Sequence, residues 1–143
     1  MEVIARKKRG IGVVYLICTL VGILLLGVSF VTPNQRMKLI IFGLMTAAIG
    51  GYIYVSYTLL PYEVIRFDHN NVLHLPKERK LAVTDITYVS HRCAHAKGIR
   101  YKWGSVIIKT KDVKYAYNYI ADCEDVAKRL TDMVKRAKSG DIK

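Results

Sequence analysis

Two apolar stretches decide the fold: residues 11–31 read IGVVYLICTLVGILLLGVSFV and residues 39–60 read LIIFGLMTAAIGGYIYVSYTLL. Neither stretch contains a charged side chain. A helix rises about 1.5 Å per residue, so the first stretch would extend roughly 31 Å, which matches the hydrocarbon core of a bilayer. Each Val, Ile, Leu or Phe near the helix centre favours insertion by about 0.3 to 0.6 kcal/mol. The sequence therefore predicts a transmembrane hairpin over residues 11–60, with spans at 11–31 and 39–60.

The short link and the flanking charges predict the orientation of this hairpin. Residues 32–38 are few enough to require a tight antiparallel connection. A basic cluster precedes the first span, and many more basic residues follow the second, so the positive-inside rule places both termini in the cytoplasm. We read residues 1–10 as a basic cytoplasmic tail beneath the anionic leaflet. Its cluster consists of Arg6, Lys7, Lys8 and Arg9.

A cleaved signal peptide is the main alternative for the first span. Its apolar run is longer than the usual 7 to 15 residues, roughly, and it ends without a small-residue cleavage site, so we expect it to be retained. Neither span contains an ionisable Asp, Glu, Lys, Arg or His, which are the groups that usually mark ion and substrate paths in membranes. A transporter or channel is therefore not expected.

Small residues recur every four positions in the second span, at Gly43, Ala47 and Gly51. Such a stripe lets another helix approach closely. The sequence leaves two partners open for it. One is the first span of the same hairpin, and the other is a second copy of the chain.

Charge and hydrophobicity are separated along the chain. It has 143 residues, 52% of them hydrophobic, and a net charge of +12 from 23 Lys and Arg against 11 Asp and Glu. This combination excludes a fully soluble enzyme, a disordered tail protein and a large catalytic fold, and it leaves a membrane protein with one small basic domain.

The region after the hairpin has the alternating pattern of β-strands. Runs rich in Val, Ile and Tyr, separated by turn residues, predict a meandering antiparallel sheet and then one amphipathic helix. Asp122 is the predicted N-cap of that helix, and Gly140 lies just beyond its end. The predicted strands are residues 62–68, 72–75, 81–90, 99–103, 105–110 and 114–120.

Four segments in this order carry a resemblance to a known family: YEVIRF at 62–67, LAVTDITYV at 81–89, VII at 106–108 and DCEDVAKRL at 122–130. Preceded by a transmembrane hairpin, they resemble the bacterial pleckstrin-homology-like membrane proteins. The resemblance implies an α+β membrane protein in which the two-helix transmembrane hairpin is followed by a PH-like bent antiparallel β-barrel or sandwich over residues 61–138, capped by the C-terminal α-helix. Residues 139–143 would be a flexible tail.

The resemblance also implies a binding function. Bacterial members of the family are thought to act as adaptors or oligomeric scaffolds, and its lipid-binding members carry several Lys or Arg around the first hairpin of the domain. Here that turn reads DHNN at 68–71, so inositol-phosphate recognition at this turn is not expected.

Basic residues in consecutive predicted hairpins are the strongest functional signal in the domain. With Tyr101 and Trp103 between them, they predict one basic, aromatic-edged surface for an acidic protein partner or anionic lipid. Nucleic acid is not a predicted partner, because no RNA-binding motif or helix-turn-helix occurs in the sequence. The predicted surface consists of Lys97, Arg100, Lys102, Lys109, Lys111 and Lys114.

One constellation has the residue types of a metal site: His91, Cys93 and His95 alternate along a predicted strand and would share a face. A fourth ligand would have to come from His69, His74 or Cys123, and nothing in the sequence brings these near. We therefore predict no metal site, no cofactor and an exposed strand end. No nucleophile elbow, P-loop, dinucleotide-binding turn or zinc-protease helix occurs, so we predict no enzymatic activity.

Together these observations predict a multi-pass protein of a bacterial inner or plasma membrane. The leading hypothesis is a non-enzymatic, membrane-anchored adaptor or scaffold that presents the basic domain to a protein partner or to itself. The alternative is a membrane-surface sensor whose domain binds anionic lipid head groups. A third hypothesis is a metal-responsive accessory subunit built on His91, Cys93 and His95.

Overall fold

The computed structural model describes residues 1–140 and divides the chain into two compact units. One unit is residues 9–60, and the other combines residues 1–8 with the chain from residue 61 onward. The fold is α+β. In chain order the elements are β1 (Glu2–Arg6), α1 (Ile11–Ser29), a 3-10 turn (Pro33–Gln35), α2 (Arg36–Leu59), β2 (Glu63–Phe67), β3 (Val72–Leu75), β4 (Arg79–Ala82), a second 3-10 turn (Val83–Asp85), β5 (Ile86–Ala96), β6 (Ile99–Thr110), β7 (Lys114–Ile120) and α3 (Cys123–Ser139).

The two helices of the first unit are long and apolar enough to cross a membrane, a test that a signal sequence near the N-terminus also passes. Their bounds differ from the predicted spans by at most three residues at each end. Only 17% of the most apolar window of the first helix and 11% of that of the second are buried within the protein. Side chains such as Leu24 and Phe42 point away from the protein. These helices therefore differ from the buried core helices of soluble proteins.

Close contacts show that α1 and α2 are antiparallel. A Cβ atom added to Gly22 would lie 2.5 Å from the backbone nitrogen of Ala47, and one added to Gly50 would lie 2.9 Å from Oγ1 of Thr19. Moving from residue 19 to 22 on α1 therefore corresponds to moving from 50 to 47 on α2. Two residues without bulky side chains meet at the centre of this contact, which is what lets the helix backbones approach closely.

Residues 1–10 are not a tail, and this corrects the sequence-based prediction. Glu2–Arg6 form β1, which pairs antiparallel with β2 from Glu2 opposite Phe67 to Arg6 opposite Glu63. Ile4 and Ala5 are buried in the core of the second unit. The partner strand β2 follows both helices in the chain, so no neighbouring strand in the sequence indicates that residues 2–6 are a strand. The hairpin thus does not precede the domain but is inserted between its first and second strands.

The second unit contains two antiparallel sheets. The first has the strand order β1-β2-β3-β4 and the second has the order β5-β6-β7, and the described strands do not form a closed barrel. The chain just after β1 links the sheets, because the amide of Ala121 donates a 2.9 Å hydrogen bond to the carbonyl of Arg6 and the amide of Lys8 donates one of 2.8 Å to the carbonyl of Tyr119. The N-terminal segment therefore contacts a strand of each sheet.

Three of the predicted strands are divided or joined differently in the structure. The predicted strand 81–90 is interrupted by the 3-10 turn Val83–Asp85, where the chain passes from one sheet to the other. The predicted strands 99–103 and 105–110 are one continuous strand, β6, with Gly104 in its interior.

The helix α3 packs its apolar face on the sheets. Val126, Leu130 and Val134 are buried at helical spacing. Asp122 occupies the predicted N-cap position with a left-handed φ of 47°, but its side chain makes no capping hydrogen bond, contrary to the expectation for an N-cap aspartate. Of the predicted flexible tail 139–143, Ser139 is the last residue of α3, and residues 141–143 lie outside the described part of the chain.

Candidate functional site

The long β5–β6 hairpin contains the most unusual backbone feature of the second unit. Cys93 pairs with Gly104, but two residues further along β5, His95 pairs with Arg100. Three residues of β6, at positions 101–103, therefore lie opposite a single residue of β5. Such a bulge bends a strand and changes the direction of its side chains.

Gly104 is required where this bulge ends. A Cβ atom at this position would clash with the carbonyl oxygen of Arg92 and would lie 2.8 Å from the Cα atom of Cys93. Both are backbone atoms, which cannot rotate away. Glycine therefore lets β6 approach the backbone of β5 directly beside Cys93.

Cys93 lies against the start of α3. Its Sγ atom is 3.1 Å from Sγ of Cys123, the first residue of the helix, and both cysteines are buried and free. Burial, followed by the hydrogen bond shared with Cys93, raises the pKa of Cys123 to about 12. In the sequence, Cys123 is a possible fourth metal ligand, but no local pattern places it near Cys93. Packing of α3 against β5 brings the two together, and no local sequence pattern encodes that contact.

A histidine and a carboxylate lie near one member of this thiol pair, Cys93. One ligand atom each of His91, Cys93 and Glu124 lies within 4.8 Å of the others. His91 and Cys93 are two residues apart on β5, on the same side of the strand. His95, which the sequence grouped with them, is not part of this cluster. We call His91, Cys93, Cys123 and Glu124 the thiol cluster.

Arg100 is the basic residue that contacts the thiol cluster. Its Nη2 atom donates a 3.0 Å hydrogen bond to Oε2 of Glu124 and lies 3.8 Å from Sγ of Cys93. The contact with Cys93 and the charge of Glu124 raise the pKa of Arg100. Arg100 thus compensates the anionic groups at this end of the hairpin, and it is less available to a partner than the surrounding lysines.

The six basic residues predicted to form one surface lie in two groups at opposite ends of β6. At about 3.3 Å per residue, the regular part of this strand from Gly104 to Thr110 extends roughly 20 Å, and the bulge at positions 101–103 shortens the rest. The β5–β6 tip contains Lys97, Arg100 and Lys102. The β6–β7 tip contains Lys109, Lys111 and Lys114.

The β6–β7 tip brings like charges together. Lys109 lies directly opposite Lys114 across the two strands, an arrangement that is usually destabilising. Its turn is held by a 2.9 Å hydrogen bond from the amide of Thr110 to the carbonyl of Val113. Val113 is 46% exposed at this turn, and Tyr88, which pairs with Lys109 on its other side, is 62% exposed. The β6–β7 tip thus combines paired positive charges with two exposed apolar side chains.

The β5–β6 tip has a related composition. Lys97 and Gly98 form its two-residue turn, both with positive φ. Ile99 is 59% exposed after this turn. The rings of Tyr101 and Trp103 lie 6.2 Å apart in the adjoining bulge.

The predicted topology cluster is not a separate tail. Arg6 is the last residue of β1, and the amide of Lys7 donates a 2.8 Å hydrogen bond to the carbonyl of Tyr62. Partial burial lowers the pKa of Lys7. Lys8 belongs to the second unit, whereas Arg9 belongs to the helical unit.

The small residues of α2 differ in their contact with α1. An added Cβ atom on Gly43 would lie 2.9 Å from the carbonyl oxygen of Gly22, and Ala47 contacts the same glycine. One on Gly51 would meet only Cγ2 of Thr19, at 4.0 Å, so Gly51 lies at the margin of the contact. Gly22, which the sequence analysis did not select, lies at its centre.

Comparison of the chain with protein-family models, with curated proteins and with solved structures gave no match.

Proposed function

We propose that this chain is a multi-pass membrane protein whose second unit is a PH-like binding domain, and that it acts as a non-enzymatic adaptor or scaffold for an acidic protein partner or for a second copy of itself. The proposed location is a bacterial inner or plasma membrane, with both termini in the cytoplasm.

The membrane assignment is supported by the exposure of the helices and by the strands that flank them. β1 precedes α1 and β2 follows α2, and these two strands are hydrogen-bonded to each other. If both helices cross a bilayer, their flanking strands must lie on the same side. Removal of the first helix as a signal sequence would also remove β1 and expose the core that Ile4 and Ala5 help to fill.

The PH-like assignment is supported by the element order. Four strands form one antiparallel sheet, three form another, and a C-terminal helix packs on them. A bent seven-stranded arrangement with a terminal helix is what the sequence resemblance implies, with the difference that here the first strand lies ahead of the hairpin.

The observation that carries the adaptor proposal is the position of the basic tips at the two ends of β6. A single anionic head group requires only one basic pocket, whereas two tips at opposite ends of a long strand, roughly 20 Å or more apart, suit contact with two separate acidic sites, as in a scaffold. The like-charge pair of Lys109 and Lys114 also favours an acidic partner, because such a partner would relieve the repulsion.

Site-directed photo-crosslinking in native membranes tests this proposal on the full chain. A crosslinker at Val113 reports on the β6–β7 tip and one at Ile99 on the β5–β6 tip, while one at the exposed Lys138 of α3 serves as the control. We expect protein adducts, to another copy or to a second protein, at the tip positions only. Replacing Lys109, Lys111 and Lys114 with Gln should remove the Val113 adduct. Equal adducts at Lys138 would contradict the proposal.

The alternative is that the β6–β7 tip binds anionic lipid. The exposed side chains of Val113 and Tyr88 favour it, because apolar and tyrosine side chains beside lysines suit the head-group region. Hydrogen exchange of the full chain in nanodiscs distinguishes the two functions. Lipid binding predicts protection of this tip in anionic but not neutral nanodiscs, with loss in high salt. The matched control replaces Lys128, Lys135 and Lys138 with Gln.

A further inference from the structure

Beyond the proposed binding function, we propose that the thiol cluster binds one zinc-class divalent ion. The ion would link the start of α3 to β5 through His91, Cys93, Cys123 and Glu124.

The side chains of the cluster are the ligand types of a four-coordinate zinc site. Zinc binds thiolate, imidazole and carboxylate groups, and closed sites with four protein ligands serve structural purposes. Two thiols select against magnesium and calcium, which prefer oxygen ligands. The set of two cysteines, one histidine and one glutamate is therefore suited to zinc and to its spectroscopic substitute cobalt.

The distances are close to those of a loaded site. Tetrahedral zinc sites with metal–ligand bonds of roughly 2.0 to 2.3 Å place neighbouring ligand atoms about 3.3 to 3.8 Å apart. The two Sγ atoms are 3.1 Å apart, and the ligand atoms of His91, Cys93 and Glu124 lie within 4.8 Å of one another. Cys123 lies beside Cys93 but outside the group of three ligand atoms that lie within 4.8 Å of one another. Closing the site therefore requires side-chain rotation that brings the exposed Glu124 and the half-buried His91 towards both thiols.

The backbone holds both halves of the site in place. Gly104 lets β6 approach the backbone of Cys93, and the left-handed conformation of Asp122 starts α3 at Cys123. The amide dipoles at the start of a helix favour anionic ligands, which suits the carboxylate of Glu124. Cys123 would release its thiol proton when the ion binds. The ligands come from β5 and α3, so an ion here would connect two elements that are far apart in sequence.

Arg100 occupies the position of a competing cation. In the metal-free protein its guanidinium contacts Glu124 and Cys93, the two ligands nearest to it. A bound divalent ion would displace it, since a metal ion and a guanidinium repel each other. Arg100 is more than half exposed, so it can move into solvent, and replacing it should not leave a cavity.

Metal titration of the full chain in detergent or nanodiscs, purified with a reductant and then treated with a chelator, tests the site. We expect one zinc ion per chain by elemental analysis, and a cobalt complex with thiolate charge-transfer absorption and tetrahedral ligand-field bands. The variants Cys93→Ser and Cys123→Ser should lose the charge-transfer absorption, and His91→Asn should weaken zinc binding by at least about tenfold. Two variants serve as matched controls, Cys18→Ser in α1 and His95→Asn on the same strand, and both should bind like the parent chain.

The cysteine variants could lose zinc binding because they fold poorly. The variant Arg100→Gln avoids this ambiguity, because it changes an exposed residue and leaves all four ligands in place. Because it removes the competing cation from an exposed position, it should tighten zinc binding by about tenfold, the order expected when a unit charge is removed several ångströms from a divalent ion in water. Unchanged or weaker binding in Arg100→Gln would overturn the proposal. So would a parent chain that binds no more zinc than Cys93→Ser, or a cobalt spectrum without thiolate absorption.

Discussion

The backbone amide of Lys7 donates a 2.8 Å hydrogen bond to the carbonyl oxygen of Tyr62, and residues 8–61 lie between them in the chain. This bond joins the chain segment that precedes the two helices to the segment that follows them. It continues the pairing of β1 with β2, so the folded second unit requires residues from both sides of α1 and α2. The domain and its two helices therefore cannot be separated by a single cut in the chain.

The isolated fragment 61–143 should fold poorly, because it lacks β1. Loss of Ile4 and Ala5 exposes part of the core and should cost about 2 to 5 kcal/mol in the free energy of unfolding. A chimera in which residues 1–8 are joined to residues 61–143 by a short Gly/Ser linker restores the strand. Urea unfolding, followed by the fluorescence of Trp103, the only tryptophan in the sequence, should be cooperative for the chimera and broad or absent for the fragment. Equal stability of the two would contradict the role of β1.

Gly104→Ala should destabilise the second unit by about 1 to 3 kcal/mol, because the added methyl group forces the backbones of β5 and β6 apart. Chemical denaturation of the chimera measures the effect. Gly98→Asn, in the turn of the same hairpin, is the control: a Cβ atom there meets nothing within 4 Å, and Asn tolerates its φ of 79°. A larger loss in Gly98→Asn than in Gly104→Ala would argue against the close approach beside Cys93.

The antiparallel register of the helices predicts a specific crosslink. A Cβ atom on Gly51 would lie 4.0 Å from Cγ2 of Thr19, so the pair Thr19→Cys and Gly51→Cys should form an intramolecular disulfide under mild oxidation. The native Cys18 is replaced by Ser in this experiment. The pair Gly27→Cys and Gly51→Cys should not crosslink, because position 27 is two turns away along α1. Gel mobility under non-reducing conditions distinguishes the two, and similar yields would exclude this register.

Local sequence pattern predicted most of the elements and missed what depends on distant contacts. The two helices, β3, β7 and α3 follow from hydropathy and periodicity. β1 was missed because its partner strand lies beyond the hairpin. Gly104 looked like a strand break, since close backbone approach is invisible in sequence. The grouping of Cys93 with Cys123 depends on where α3 docks.

The prediction of one basic surface was wrong for the same reason, since it also depended on the course of a strand that the sequence does not reveal. Lys97 and Lys114 are close in sequence, and their spacing suggested neighbouring hairpins on one surface. The length of β6 separates them, because the strand continues through Gly104 instead of ending there.

The proposed function requires that both helices cross the membrane and return to one domain. The most direct test is to determine, in intact cells, on which side of the membrane the link between the helices and the two ends of the second unit lie. Labelling of an introduced cysteine with a membrane-impermeant maleimide measures this sidedness in the Cys18→Ser chain, where the two remaining cysteines, Cys93 and Cys123, are buried. The Cys18→Ser chain without an introduced cysteine is the blank. We predict that Asn34→Cys, between the helices, is labelled in intact cells, and that Glu2→Cys and Ser139→Cys are labelled only after lysis. Labelling of all three positions on one side would contradict a hairpin that spans the membrane.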